Sequence, residues 1–256
     1  MTIEFIFVLV FGLCFGSFIT CMSYRLPLEM DAVKKPSFCP SCNTALKARD
    51  LIPLVSWLVS GGKCRHCKTK ISARYPIIEL VTAASFLGIY LIHGLTLPSI
   101  LIMLLAAALL IMIITDLEHY IIPDEIHLVL LPLGLAYHYV LGSEPFEVMG
   151  GFLLGMGLGL MLHHGYRLVR GREGLGYGDV KFLAIAGLWL MPLAMVPFLF
   201  LSGLLGVIFG LLWRLLGKGE LFPFGPALAA ALFLGVAWPQ LAEYFWGAGT
   251  HLLSIL

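Results

Sequence analysis

Two carboxylates stand where carboxylates are costly. Asp116 closes a long apolar run, and Asp179 ends Gly176-Tyr177-Gly178-Asp179 and opens another. An ionisable group at a membrane boundary loses hydration unless it faces protein or water, so each is a candidate functional residue. Two carboxylates able to share one proton make an acid/base pair, one activating a nucleophile while the other donates. A second set of residues offers different chemistry. Cys39-Pro40-Ser41-Cys42 and Cys64-Arg65-His66-Cys67 are two C-x2-C knuckles separated by residues 43–63. Each knuckle presents two sulfurs from one turn, and four thiolates suit tetrahedral zinc. The intervening stretch slightly exceeds the roughly 15 to 20 residues usual in such ribbons.

The elements that position these groups must be membrane helices. Sixty per cent of the 256 residues are hydrophobic and twelve per cent charged, with a mean hydropathy of +0.96, well outside the soluble range. The apolar runs are continuous and do not alternate with period two, which favours helices over a barrel. Eight spans are predicted, at 4–23, 77–94, 97–115, 125–141, 147–167, 180–196, 197–213 and 224–241. Spans six and seven are expected to join near Pro192 and Pro197. The first segment has no basic n-region and no small-residue cleavage site ahead of Arg25, so it is expected to remain as a transmembrane helix.

Sidedness follows from the basic residues. Ten of the sixteen Lys and Arg lie between spans one and two, from Arg25 to Arg74, including Lys34 and Lys35. Arg167, Arg170, Arg172 and Lys181 surround the connection between spans five and six, and Arg214 and Lys218 follow span seven. All sixteen thus fall on alternate connections, and the positive-inside rule makes that side cytoplasmic. Both termini are then expected outside the cytoplasm, and Asp116 and Asp179 in the cytoplasmic leaflet. They could meet only if spans three to six pack together. Gly150, Gly151, Gly155, Gly157 and Gly159 in span five would permit that approach, either as generic helix packing or as part of a catalytic core. The net charge of +1 gives no electrostatic case for nucleic acid, and no nucleic-acid partner is expected.

Residues 24–76 form the one stretch long and polar enough for an extramembrane domain. On the cytoplasmic side disulfides are disfavoured and such cysteine patterns more often bind metal, so zinc is favoured over disulfides or idle thiols. Four protein ligands close the site and make its role structural, folding a domain too small for a core of its own. Cys14 and Cys21, inside span one, read as packing residues. His163 and His164 lie in span five without acidic or cysteine neighbours and read as packed or interfacial. Arg167, Arg170 and Arg172 suit a lipid surface, and Trp57, Trp189, Trp213, Trp238 and Trp246 suit packing and an aromatic belt.

These features occur in an order that resembles the bacterial type IV prepilin leader peptidases, which also N-methylate the processed pilin. The resemblance rests on Gly16-Ser17-Phe18, then Tyr24-Arg25-Leu26-Pro27, the double knuckle and Leu51 to Trp57 leading to Gly61-Gly62-Lys63. It continues through Arg74-Tyr75-Pro76 with Glu79, Asp116 to Ile122-Pro123-Asp124, and Gly176 to Lys181. Thr20 and Cys21 depart from the family's usual asparagine-valine pair, away from any catalytic position. The resemblance implies an all-α polytopic fold in the bacterial inner membrane, with Asp116 and Asp179 as catalytic residues of an aspartic endopeptidase. Asp124, Gly176, Gly178 and Lys181 would support them. It implies three parts: a first transmembrane helix at 1–23, a cytoplasmic zinc domain at 24–76 contributing to methyl transfer, and a peptidase domain at 77–256. Its substrates would be prepilins or pseudopilins, of the type IV pilus or type II secretion, and its methyl donor S-adenosylmethionine.

No G-x-G-x-x-G fingerprint marks a site for that donor. Gly62 and Glu79 are the methyl-transfer candidates. Glu79 is equally explained as a helix-start carboxylate favoured by the macrodipole, and Gly61-Gly62 as a turn before the second knuckle. Two other readings compete. A proton or ion carrier would place its carboxylates near the midplane on broken helices, whereas both lie here at an edge. A zinc-bearing scaffold would tolerate amidation of both aspartates.

Overall fold

The computed structural model describes residues 2–31, 36–171, 174–219 and 221–238. Lys34, Lys35, Arg172 and Trp246 lie outside the described residues. Among those described, the regular elements are eight α-helices and two 3-10 turns, with two isolated β-bridges in the cysteine loop. An apolar run in lipid must satisfy its backbone within itself, which the helix does. The chain divides into two compact units, Met1–Ser99 and Ile100–Leu256, the division falling in the first turn of helix α4 (Leu97–His119).

The first unit holds α1 (Thr2–Arg25), α2 (Val55–Val59) and α3 (Arg74–His93). Helices α1 and α3 pack side by side. Gly12 lies against the Ala83 backbone and Gly16 against that of Glu79, so a Cβ at either would force the helices apart. Phe86 is fully buried, with the rings of Phe11 and Phe15 beside it. Polar ties close both ends of the pair: Tyr90 donates to Glu4 at 2.7 Å, and Arg74 to Ser23 at 2.8 Å. Cys14 is exposed and Cys21 half-buried.

The second unit contains α4 (Leu97–His119) from Ile100 onward, α5 (Asp124–Leu141), α6 (Pro145–Arg170), α7 (Tyr177–Leu215) and α8 (Gly225–Ala237). Helix α7 is the hub, packed against α5, α6 and α8. Three of the five span-five glycines make the α6–α7 contact. Gly151 meets the Gly187 carbonyl, Gly155 the Leu183 carbonyl and Gly159 Val180. Their spacing of four puts them on one helix face. Gly157 faces open space, and Gly150 only touches Pro192. Trp189 and Trp213 are buried, their indole N–H groups donating to Leu130 and Leu221 carbonyls.

Among the described residues, five helices, α1, α3, α4, α6 and α7, are long and apolar enough to cross a membrane. The eight expected spans fall on helices among the described residues, but not each on a separate helix of spanning length. Spans six and seven both lie on α7, which is two helices joined across a kink at Met191 (φ 59°, ψ 172°), beside the expected prolines. Pro192 directly follows the break, and proline disfavours a helical conformation in the residue before it; Pro197 is accommodated inside the helix. Span four corresponds to α5, which carries Asp124, Glu125, His127 and His138 within its 18 residues, and span eight to the 13-residue α8.

Candidate functional site

The carboxylates belong to the second unit. Helix α4 runs past Asp116 to His119 and stops where Tyr120 adopts φ 58°. Asp116 therefore sits in the last turn of α4, where it is 6% exposed. Its Oδ2 accepts the Gly225 N–H at 2.8 Å, at the start of α8. A Cβ on Gly225 would lie 2.5 Å from that same oxygen, so this approach requires glycine. Asp179 lies in the first turn of α7, half-buried, and accepts the Gly176 N–H at 3.3 Å. Asp116 and Asp179 thus stand in one unit, at the end of α4 and the start of α7. Each is held by the amide of a glycine, which lets backbone come close without a side chain intervening.

The other candidates of this unit gather around the Asp179 turn. Lys181 donates to Asp124 at 2.7 Å, an ion pair open to solvent on both sides. Gly178 rests on Ile122, where a Cβ would stand 3.3 Å from Ile122 Cβ. Glu118 is exposed. Sequence reasoning missed two residues here, Gly225 and His127. His163, read from the sequence as packed or interfacial, is fully buried, and its Nδ1 lies 2.6 Å from Leu175 O, a contact the sequence did not indicate. His127 Nε2 lies 3.2 Å from Gly178 O. The one signal for Gly225 was Phe224-Gly225-Pro226 ahead of an apolar run, which marks a turn but not what its amide meets.

The cysteines belong to the first unit. Sγ atoms of Cys39, Cys42, Cys64 and Cys67 all lie within 4.8 Å of one another, a cluster able to hold a metal ion. The Cys39–Cys67 separation is 3.9 Å, close to the roughly 3.8 Å edge of a tetrahedron with zinc–sulfur bonds of about 2.3 Å. All six cysteines of the chain are free thiols. The two knuckles fold alike: Asn43 and Lys68, each following its knuckle, take positive φ and donate back to the Cys39 and Cys64 carbonyls. Thr44 and Thr69 occupy equivalent places, each 3.3 Å from the second cysteine of its knuckle. Hydrogen bonding from Thr69 lowers the Cys67 thiol to about 6, and Thr44 lowers that of Cys42 in the same way. Burial pushes the Cys39 thiol up.

Beside this cluster is a cavity of about 380 Å³, lined among others by Thr20, Tyr24, Arg25, Ser56, Trp57 and Glu79. Glu79 is buried beyond the first turn of α3, which removes its explanation as a helix-start carboxylate. It accepts instead the N–H of Leu54 at 2.8 Å, a residue held at φ 58°. Gly61 and Gly62 do form the expected turn, at φ 62° and 64°. Gly62 also backs the Trp57 ring, where a Cβ would stand 3.0 Å from the indole.

Comparison with known proteins places both units. Residues 10–93 match the Bacterial Peptidase A24 N-terminal domain, and residues 102–211 match the Type IV leader peptidase family. Among curated proteins, the prepilin leader peptidase/N-methyltransferase of Aeromonas salmonicida is 33% identical, over 92% of this chain and 91% of its own. That of Pseudomonas aeruginosa is 34% identical over 89% and 88%, and that of Neisseria gonorrhoeae 32% over 87% and 86%. No solved structure matches the chain significantly. With matches in both units and relatives a third identical over about nine-tenths of its length, the chain belongs to the type IV leader peptidase family.

Proposed function

We propose that this enzyme cleaves the basic leader from prepilin-like or pseudopilin precursors, using Asp116 and Asp179 as an aspartyl dyad. One carboxylate, ionised, activates water; the other, protonated, donates to the scissile carbonyl, and mutual repulsion enforces the split. The pair titrates as a unit. The observation that carries this reading is that two carboxylates, in the last turn of α4 and the first turn of α7, are each fixed by a glycine amide. Asp124, Gly176, Gly178 and Lys181 support the Asp179 turn. The alternate placement of all Lys and Arg supports catalysis at the cytoplasmic face of the inner membrane, with both termini on the far side. A precursor with a basic leader in the cytoplasm and an apolar helix in the bilayer presents its scissile bond there.

The test is incubation of the purified protein with a pilin-like precursor in detergent, beside Asp116→Asn and Asp179→Asn. Cleavage should vanish in either variant while the protein stays folded. Processing that survives both changes would overturn the dyad.

The cysteine cluster is proposed to hold one structural zinc within residues 24–76. Four sulfurs at near-tetrahedral spacing, two with lowered thiols, fit a closed site. Native mass spectrometry should find about one zinc per chain; metal-free protein with two disulfides would refute this. The names of the relatives further support N-methylation of the new amino terminus, for which S-adenosylmethionine supplies an electrophilic methyl group. Glu79 and the Trp57 ring backed by Gly62 offer a carboxylate and an aromatic face, features that suit a cationic ligand. The cavity they line lies within the usual range of about 300 to 1,000 Å³ for small-molecule sites.

A further inference from the structure

The turn that carries Asp179 has little side-chain substance of its own. Gly176 and Gly178 contribute none, and Tyr177 is largely exposed. A turn so built is free to shift unless its backbone is fastened. Two buried histidines from different helices supply the fastening. On one side His163 of α6, fully buried, brings Nδ1 to 2.6 Å from the Leu175 carbonyl. On the other His127 of α5, 7% exposed, brings Nε2 to 3.2 Å from the Gly178 carbonyl.

A carbonyl only accepts, so each contacting ring nitrogen carries the proton. The opposite tautomers are therefore required, Nδ1–H at His163 and Nε2–H at His127. The second nitrogen of each ring, His163 Nε2 and His127 Nδ1, is buried without a hydrogen-bonding partner among the described residues. Asp124 Oδ1 lies 3.7 Å from His127 Nδ1. Leaving a buried ring nitrogen unpaired costs free energy that an apolar side chain of similar size would not incur. Packing alone thus gives no reason for imidazole at either position. The His163 ring also lies against that of Tyr177, with centroids 4.4 Å apart, so it meets the turn through both backbone and side chain.

We propose that His127 and His163 are positioning residues, a two-sided clamp on the 175–178 backbone that holds Asp179 in register with Asp116. This rests on Asp179 being a catalytic carboxylate. The clamp acts on geometry at the reacting centre and not on recognition of the precursor, so its loss should lower kcat and leave KM in place.

The opposed tautomers allow a crossed test. A glutamine amide nitrogen reaches about as far as histidine Nε2, and an asparagine amide nitrogen about as far as Nδ1. His127→Gln and His163→Asn should therefore keep the clamp, whereas His127→Asn, His163→Gln and a leucine at either position should lose it. Precursor cleavage by purified variants should show kcat reduced about tenfold or more in the second group and largely kept in the first, with KM unchanged. Hydrogen–deuterium exchange over residues 174–180 should rise in the second group alone, a readout that needs no catalysis. If the leucine variants fail to fold, the matched and mismatched amides decide between themselves. Leucine variants with wild-type kcat and exchange, or matched and mismatched amides that behave alike, would overturn the clamp. A wild-type enzyme that does not cleave, with exchange patterns as expected, would instead refute the peptidase reading and leave the clamp standing.

Discussion

Asp116 is constrained by a group with no side chain. The Gly225 amide holds its Oδ2, and the same geometry leaves no room for a methyl group at residue 225. Gly225→Ala must therefore displace either the carboxylate or the start of α8. Misplacing a catalytic group by a fraction of an ångström costs rate more than binding, so cleavage should fall by about tenfold or more with KM little changed. Wild-type kcat in that variant would show that the amide is incidental. The example also shows which residues of the site are legible in sequence. Asp116 and Asp179 announce themselves because a charge beside an apolar run is costly, and the four cysteines because a knuckle needs its ligands at fixed spacing. Gly225, His127 and His163 do not, since each acts through a backbone group brought near by folding, and nothing in the local sequence encodes that partner.

Among the elements, α7 carries the most. It presents Asp179 at its start and takes the glycine face of α6 along its first half. That the apolar runs would be helical was readable from their length and continuity. Which glycines mattered was not, because a five-glycine stretch shows its working face only once its partner is known. The distinction is testable by a pair of substitutions differing in sign. Gly155→Ala would drive a methyl into the Leu183 carbonyl, and overpacking of that kind costs about 1–3 kcal/mol. Gly157→Ala meets nothing and should stabilise the helix by roughly 0.5–1 kcal/mol, since alanine loses less backbone freedom than glycine. Thermal unfolding in detergent should thus shift down for the first and slightly up for the second. Equal shifts would mean that α6 and α7 do not pack through this face. The break in α7 was legible only to within a few residues: two prolines mark the region, and Met191 is where the strain settles.

At the scale of the whole molecule, the candidate residues sort by unit. Asp116, Asp179 and their supports lie in Ile100–Leu256, whereas Glu79, Gly62, the cavity and the cysteine cluster lie in Met1–Ser99. If the two proposed activities are divided in the same way, each should survive loss of the other's residues. Glu79→Gln keeps an acceptor for the Leu54 N–H but removes the negative charge from the cavity wall, so it should cleave precursor normally and leave the new amino terminus unmethylated. Asp179→Asn should do the reverse. It would methylate nothing when given intact precursor, because no free amino terminus is made, yet it should methylate a synthetic pilin peptide that begins at the mature residue. Mass spectrometry of the product amino terminus reads both reactions in one sample. Gly62→Ala serves as the milder counterpart, pressing on the Trp57 ring without changing charge, and should slow methylation while sparing cleavage. Loss of both activities in Glu79→Gln, in protein with an unchanged melting temperature, would show that the first unit takes part in cleavage and that the division is false. Failure of Asp179→Asn to methylate the pre-cut peptide would place the second unit in methyl transfer as well.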